Sequence, residues 1–152
     1  MQSQSMSQAG LTSADWALFL VRITAGVVFM AHGSQKMFGA FGGPGLGGVA
    51  RMMGPIGYLV ATAEFFGGLG LILGFLSRFS AASLIGVMLG AIALVHWKNG
   101  FFLGQRPGFE FNFALIGLLA AVLVAGPGRI AIGRLLPLPK RQLSDRPIAA
   151  LE

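Results

Sequence analysis

Pro55 to Leu76 reads PIGYLVATAEFFGGLGLILGFL, with Glu64 as its single charge. Its 22 residues, at about 1.5 Å of helix per residue, suffice to cross a hydrocarbon layer roughly 30 Å thick. Proline suits the first helical turn, where its missing N–H costs nothing. Three further apolar runs flank this one, at about 16–37, 79–97 and 109–125. The fold expected is all-α: a polytopic membrane protein built as one four-transmembrane-helix bundle over 13–128. A short lead (1–12) precedes it and a basic tail (129–152) follows.

Composition supports this. Hydrophobic residues make up 55% of the chain and charged residues 11%, against roughly 25% charged in a soluble domain. The mean hydropathy is +0.76. The net charge of +6 is spread singly between apolar runs and gathers after Gly128, which points to anionic lipid headgroups rather than nucleic acid. With no cysteine, the chain by itself can form no disulfide, thiolate metal site, iron–sulfur cluster or dithiol couple. No Lys or Arg precedes Arg22, so the first apolar run lacks the positive flank of a secretory signal and is expected to stay in the protein.

Stops and starts are visible between the runs. Ser13 or Asp15 can cap the first helix, Ser77 and Ser80 bracket a turn around Arg78, and Gly126-Pro127-Gly128 ends the fourth. Phe38 to Gly54 is expected to be a Gly-rich loop packed at the membrane edge. Orientation follows from flanking cations. Arg78, Arg129, Arg134, Lys140, Arg141 and Arg146 lie on one side, and Lys36, Arg51, Lys98 and Arg106 on the other. By the positive-inside rule the side with more cations, holding both termini, is cytoplasmic.

Ionisable groups inside hydrocarbon cost about 2.5–3.5 kcal/mol each on insertion scales, so each needs an explanation. Arg22 shares a stripe with Gly26, Phe29, Gly33 and Lys36; either it faces the bundle or it snorkels to the surface. Glu64 shares a face with Gly57, Ala61 and Gly68. One reading pairs Arg22 with Glu64 as structural buried charge. In the other, an unpaired Glu64 is kept neutral by desolvation and can donate to a quinone carbonyl or relay a proton. His32, Lys36, His96, Trp97, Lys98, Arg106 and Glu110 are expected in one layer at the outer helix ends. That layer is either an ordinary interfacial belt or a headgroup pocket for a lipophilic ligand. In the pocket reading His32, Lys36, His96, Trp97 and Glu110 bind the ligand, and Glu64 and His96 move its proton. A quinone is the cofactor expected. Haem b is disfavoured, and no metal is expected, since no helix carries a metal-ligand spacing. Ala82, Gly86 and Gly90 form a small-residue run that signals close packing, within the chain or between copies. His32 with Lys36 and His96 with Lys98 close the first and third helices alike, a faint repeat of the kind some transporters carry.

Arg22 with Gly26, His32-Gly33 and Lys36; Ala63-Glu64-Phe65-Phe66-Gly67-Gly68 with Leu73-Gly74-Phe75 and Arg78; His96 with Gly100-Phe101-Phe102; and Gly126-Pro127-Gly128 together resemble the DoxX family, over about Trp16 to Leu135. The resemblance implies a small four-helix membrane protein associated with quinone reduction and oxidoreductase complexes, though the absence of Cys weighs against thiol redox partners. The function expected is a quinone-interacting subunit or partner of an inner-membrane oxidoreductase. A non-catalytic anchor or assembly subunit is the alternative, and a small transporter the third reading. Partners expected are membrane lipids, an oxidoreductase subunit or a second copy of the chain, and no nucleic acid.

Overall fold

The computed structural model describes residues 10–134, whose regular structure is helical throughout, with one isolated bridge between Leu103 and Pro107. Five α-helices follow in order: α1 Ser13–Phe38, α2 Gly45–Met53, α3 Ile56–Leu73, α4 Ser77–Ala91 and α5 Glu110–Ala125. Beyond Ala91 the α4 axis continues as a π-helical turn, Ile92–His96, and a 3-10 turn, Trp97–Asn99. Three helical stretches, Ser13–Phe38, Ile56–Leu73 and Ser77–Asn99, are long and apolar enough to span a bilayer, and α5 is a shorter apolar helix. The chain is a membrane protein. The first nine residues of the expected lead, and residues 135–152 of the expected tail, with Lys140, Arg141 and Arg146, lie outside the described residues.

Helices α1 and α3 pack antiparallel through glycine. A Cβ on Gly26 would come within 2.8 Å of the Gly68 carbonyl, and one on Gly68 within 2.5 Å of the Met30 amide nitrogen. At Gly33 a Cβ would run into the backbone of Phe65. With no hydrophobic drive between helices inside lipid, such backbone approach is what holds them together. The buried faces follow the two polar stripes of the sequence, with Arg22, Gly26, Phe29 and Gly33 on α1 and Gly57, Ala61, Glu64 and Gly68 on α3. Helices α4 and α5 close the ring, and Leu71, Leu84, Leu119 and Val122 fill its centre with Phe29.

Two boundaries differ from expectation. The reversal between α3 and α4 is made by Gly74, in the left-handed region, and Leu76, also at positive φ, so Ser77 already opens α4 instead of standing in the turn. The Gly-rich segment expected as a loop contains α2. Helix propensity argues against it, since each Gly costs about 1 kcal/mol in a helix. Docking overrides propensity: Val49 is buried, packed where Gly57 of α3 leaves room for it.

The N-terminal cap ties the two ends of the described chain together. Thr12 is the N-cap of α1 and forms a reciprocal capping box with Asp15. One Asp15 oxygen accepts from the Thr12 amide and hydroxyl, at 3.0 and 2.7 Å. The other accepts from the Arg129 amide at 2.9 Å. Asp15→Asn keeps the shape but replaces one acceptor by a donor. The Arg129 amide is expected to exchange hydrogen faster in that variant, with a lower melting temperature; exchange as slow as in the parent would refute the tether.

Candidate functional site

A cavity of about 660 Å³ lies where α1 and α4 finish and α3 and α5 begin. Its wall is mostly apolar: Phe29, Ile56, Leu59, Val60, Val87, Leu94, Phe111 and Leu115 contribute from four helices. Gly86 and Gly90 belong to this wall, and a Cβ on either would meet nothing within 4 Å. At these two positions the small-residue run therefore opens space, where the sequence suggested a helix contact.

His32, Lys36, Glu64 and His96 all border the cavity. Lys36 and Glu64 form an ion pair with 2.5 Å between Nζ and Oε2, and their side chains are 24% and 5% exposed. The register of the glycine crossing explains this choice of partner. Gly33 faces Phe65, which puts Lys36, one turn on, beside Glu64. The same register carries Arg22 to the opposite end of α3, away from Glu64. There Arg22, fully buried, donates to the Leu71 carbonyl at 3.1 Å and to the Ile130 carbonyl, while its Nε has no hydrogen-bond partner among the described residues. The pairing of Arg22 with Glu64 weighed from the sequence is thus replaced by two separate sites.

Trp97 and Glu110 do not border the cavity. Trp97, 67% exposed, stacks on Phe109 with ring centroids 5.6 Å apart. Glu110 accepts from the Leu103 amide at 2.8 Å. Both brace the segment between α4 and α5, of which Leu103, Pro107 and Gly108 form part of the cavity wall. The π turn matters here. It adds a residue to the helical ring and re-aims the side chains that follow, and His96, its last residue, places Nδ1 2.9 Å from the Pro107 carbonyl oxygen. Asn99 donates to the same oxygen at 3.0 Å.

Sequence reasoning passed over Asn112. It is buried in the cavity wall and donates from Nδ2 to the Met88 sulfur at 3.4 Å. An uncharged amide in the apolar run of α5 was the available signal, and the search for charges missed it. Among the described residues no group of three His, Asp or Glu side chains is arranged to hold a metal ion.

A family model, DoxX, matches residues 17–97, more than half of the chain. The chain belongs to the DoxX family. No curated protein and no solved structure matches it. The DoxX match runs from α1 to the residue after the π turn, so His32, Lys36, Glu64 and His96 fall inside it, while Glu110 and Asn112 fall beyond. What the cavity can do chemically follows from its two parts. The ion pair, the histidines and Asn112 offer donors and acceptors, and the rest of the wall is mostly apolar surface that suits a lipophilic body.

Proposed function

We propose that this DoxX protein is a four-span bundle of the bacterial inner membrane, with both termini cytoplasmic. Its cavity holds the ring of a lipophilic quinone–quinol couple for a partner oxidoreductase. The observation carrying this reading is the convergence of His32, Lys36, Glu64 and His96 on a mostly apolar cavity of about 660 Å³. That volume lies within the roughly 300–1,000 Å³ of small-molecule sites. A wholly polar metabolite would leave the apolar wall unmatched, and a plain acyl chain would leave the histidines and the ion pair unmatched. A ring with flat apolar faces, polar edges and a lipid tail satisfies both.

The 16 residues of α5 give about 24 Å of helix, about one turn short of the roughly 30 Å hydrocarbon layer, and it packs in the same ring as the three longer spans. This supports four crossings. Arg78 and Arg129 sit at the end opposite the cavity, which under the positive-inside rule puts the cavity toward the outer face. Glu64, with one oxygen on Lys36, and His96 are the groups placed to take or return the ring's proton. Electrons are supplied or removed by the partner.

The test is mass spectrometry of the organic extract of the purified protein, with quinone per chain compared against the bulk membrane ratio. Near-stoichiometric quinone plus quinol, counted together, is expected, falling at least about fivefold in His96→Ala, which corresponds to about 1 kcal/mol of lost hydrogen bonding. It should fall likewise in Gly86→Leu, whose side chain would occupy cavity space. Quinone at the level of lipid carry-over, unchanged by either substitution, would refute the reading and leave a membrane anchor as the better account.

A further inference from the structure

We propose that the cavity selects the hydroxyl-bearing, reduced form of its ring ligand, a quinol or a phenol, over the carbonyl-bearing form. The inference rests on the reading that the cavity holds such a ring, and it comes from the polarity of the groups at its edge.

His96 decides the first position. Its Nδ1 stands 2.9 Å from the Pro107 carbonyl oxygen. A carbonyl oxygen can only accept, so the hydrogen of this bond is on Nδ1. A neutral imidazole protonated at Nδ1 carries a lone pair on Nε2. The carbonyl that sets this tautomer is held in place, since Asn99 donates to it and Glu110 fixes the same segment through Leu103. His96, which borders the cavity, therefore carries an acceptor on its second ring nitrogen.

Asn112 gives a second. Its amide nitrogen is turned to the Met88 sulfur, a weak acceptor, and no described residue bonds its Oδ1. Reversing the amide would set oxygen against sulfur, with no proton between them. Glu64 gives a third. Its Oε2 is on Lys36, and its Oε1 has no hydrogen-bond partner among the described residues. Facing these three acceptors, the donors are the N–H groups of Lys36 not spent on Glu64 and the second N–H of the Asn112 amide, and His32 can serve in either sense.

A quinone ring brings only acceptors. Placed against His96, Asn112 and Glu64, its carbonyls oppose lone pair to lone pair and leave buried acceptors unmet, a cost of the order of a whole hydrogen bond. A ring hydroxyl donates to any of the three and still accepts from Lys36. The wall thus discriminates by hydrogen-bond sense, where the shapes of the two ring forms are nearly the same.

The experiment uses the full chain in lipid nanodiscs with three probes: a decyl-chain benzoquinol kept reduced under argon, the matching benzoquinone, and the dimethyl ether of the quinol. The quinol is expected to bind at least about tenfold tighter than either of the others, about 1.4 kcal/mol. The preference should shrink in Asn112→Leu, which keeps the packing and removes the acceptor. Equal affinity for all three, or tighter binding of the quinone, would overturn the selectivity while the cavity remains a ring site. Binding of none would overturn both. A second readout needs no ligand. The chain has two histidines, so His32→Phe leaves His96 alone in a 15N-histidine spectrum. Nδ1 is expected protonated and Nε2 bare near neutral pH; the opposite tautomer, or an imidazolium, would overturn the assignment.

Discussion

Gly33→Leu is expected to prevent the bundle from assembling. The Cβ of any larger residue at this position runs into the amide nitrogen and Cα of Phe65. Those are backbone atoms inside α3, with no rotamer to yield, so accommodation means separating α1 from α3. Overpacking by a movable side chain costs about 1–3 kcal/mol; here the cost should reach about 3 kcal/mol or more, since the contact is the seat of the α1–α3 crossing. Unfolding by SDS titration, followed by far-ultraviolet circular dichroism, measures it. Gly117→Leu is the control: a Cβ there meets nothing within 4 Å, and its effect should stay within about 0.5 kcal/mol. Equal stability of the two variants would show that the glycine crossing does not hold the helices.

Lys36→Met is expected to destabilise the protein by about 3 kcal/mol. It leaves the carboxylate of Glu64, whose side chain is 5% exposed, without its counter-charge, and breaking a buried pair from one side costs about 3–5 kcal/mol. The lower figure applies because the Lys36 side chain, 24% exposed, reaches the edge of the cavity. Adding Glu64→Gln should return most of the loss, because two neutral side chains need no partner charge. A double-mutant cycle on SDS unfolding tests this, with a coupling of about 2 kcal/mol expected between the two positions. Strictly additive effects would mean that the pair contributes nothing beyond its separate side chains. Both single variants should also lose the ring ligand, since each removes polar lining from the cavity.

The apolar runs made the long helices legible, because length and hydropathy carry that signal almost alone. The turn after α3 and the existence of α2 were not legible to the same degree. Both rest on contacts between elements: Val49 of α2 docks on Gly57 of α3, and Gly74 of the turn packs on Arg22 and Ala131; no local propensity records either. Which residues face inward was readable from the stripe through Arg22, Gly26 and Gly33 and from the one through Gly57, Glu64 and Gly68. Their partners were not, because pairing depends on register. The two stripes alone allow Arg22 to pair with Glu64. The glycine crossing sets Lys36 there instead and leaves Arg22 near Gly74. The sequence groups Trp97 and Glu110 with His32 and His96 in one layer; the π turn and the segment after it direct them to the outside of the cavity. Asn112 was missed because a search for charge passes over an amide.

The clamp on Arg22 has a consequence for synthesis. Its guanidinium is held by the Leu71 and Ile130 carbonyls, and Ile130 is translated 108 residues after Arg22. At about 5–20 residues per second, the ribosome supplies that second acceptor roughly 5–20 s after the cation itself. Through this interval α1 carries a positive charge whose second acceptor has not yet been made. The early helix is therefore expected to enter lipid less readily on its own than after the segment holding Ile130 has been made.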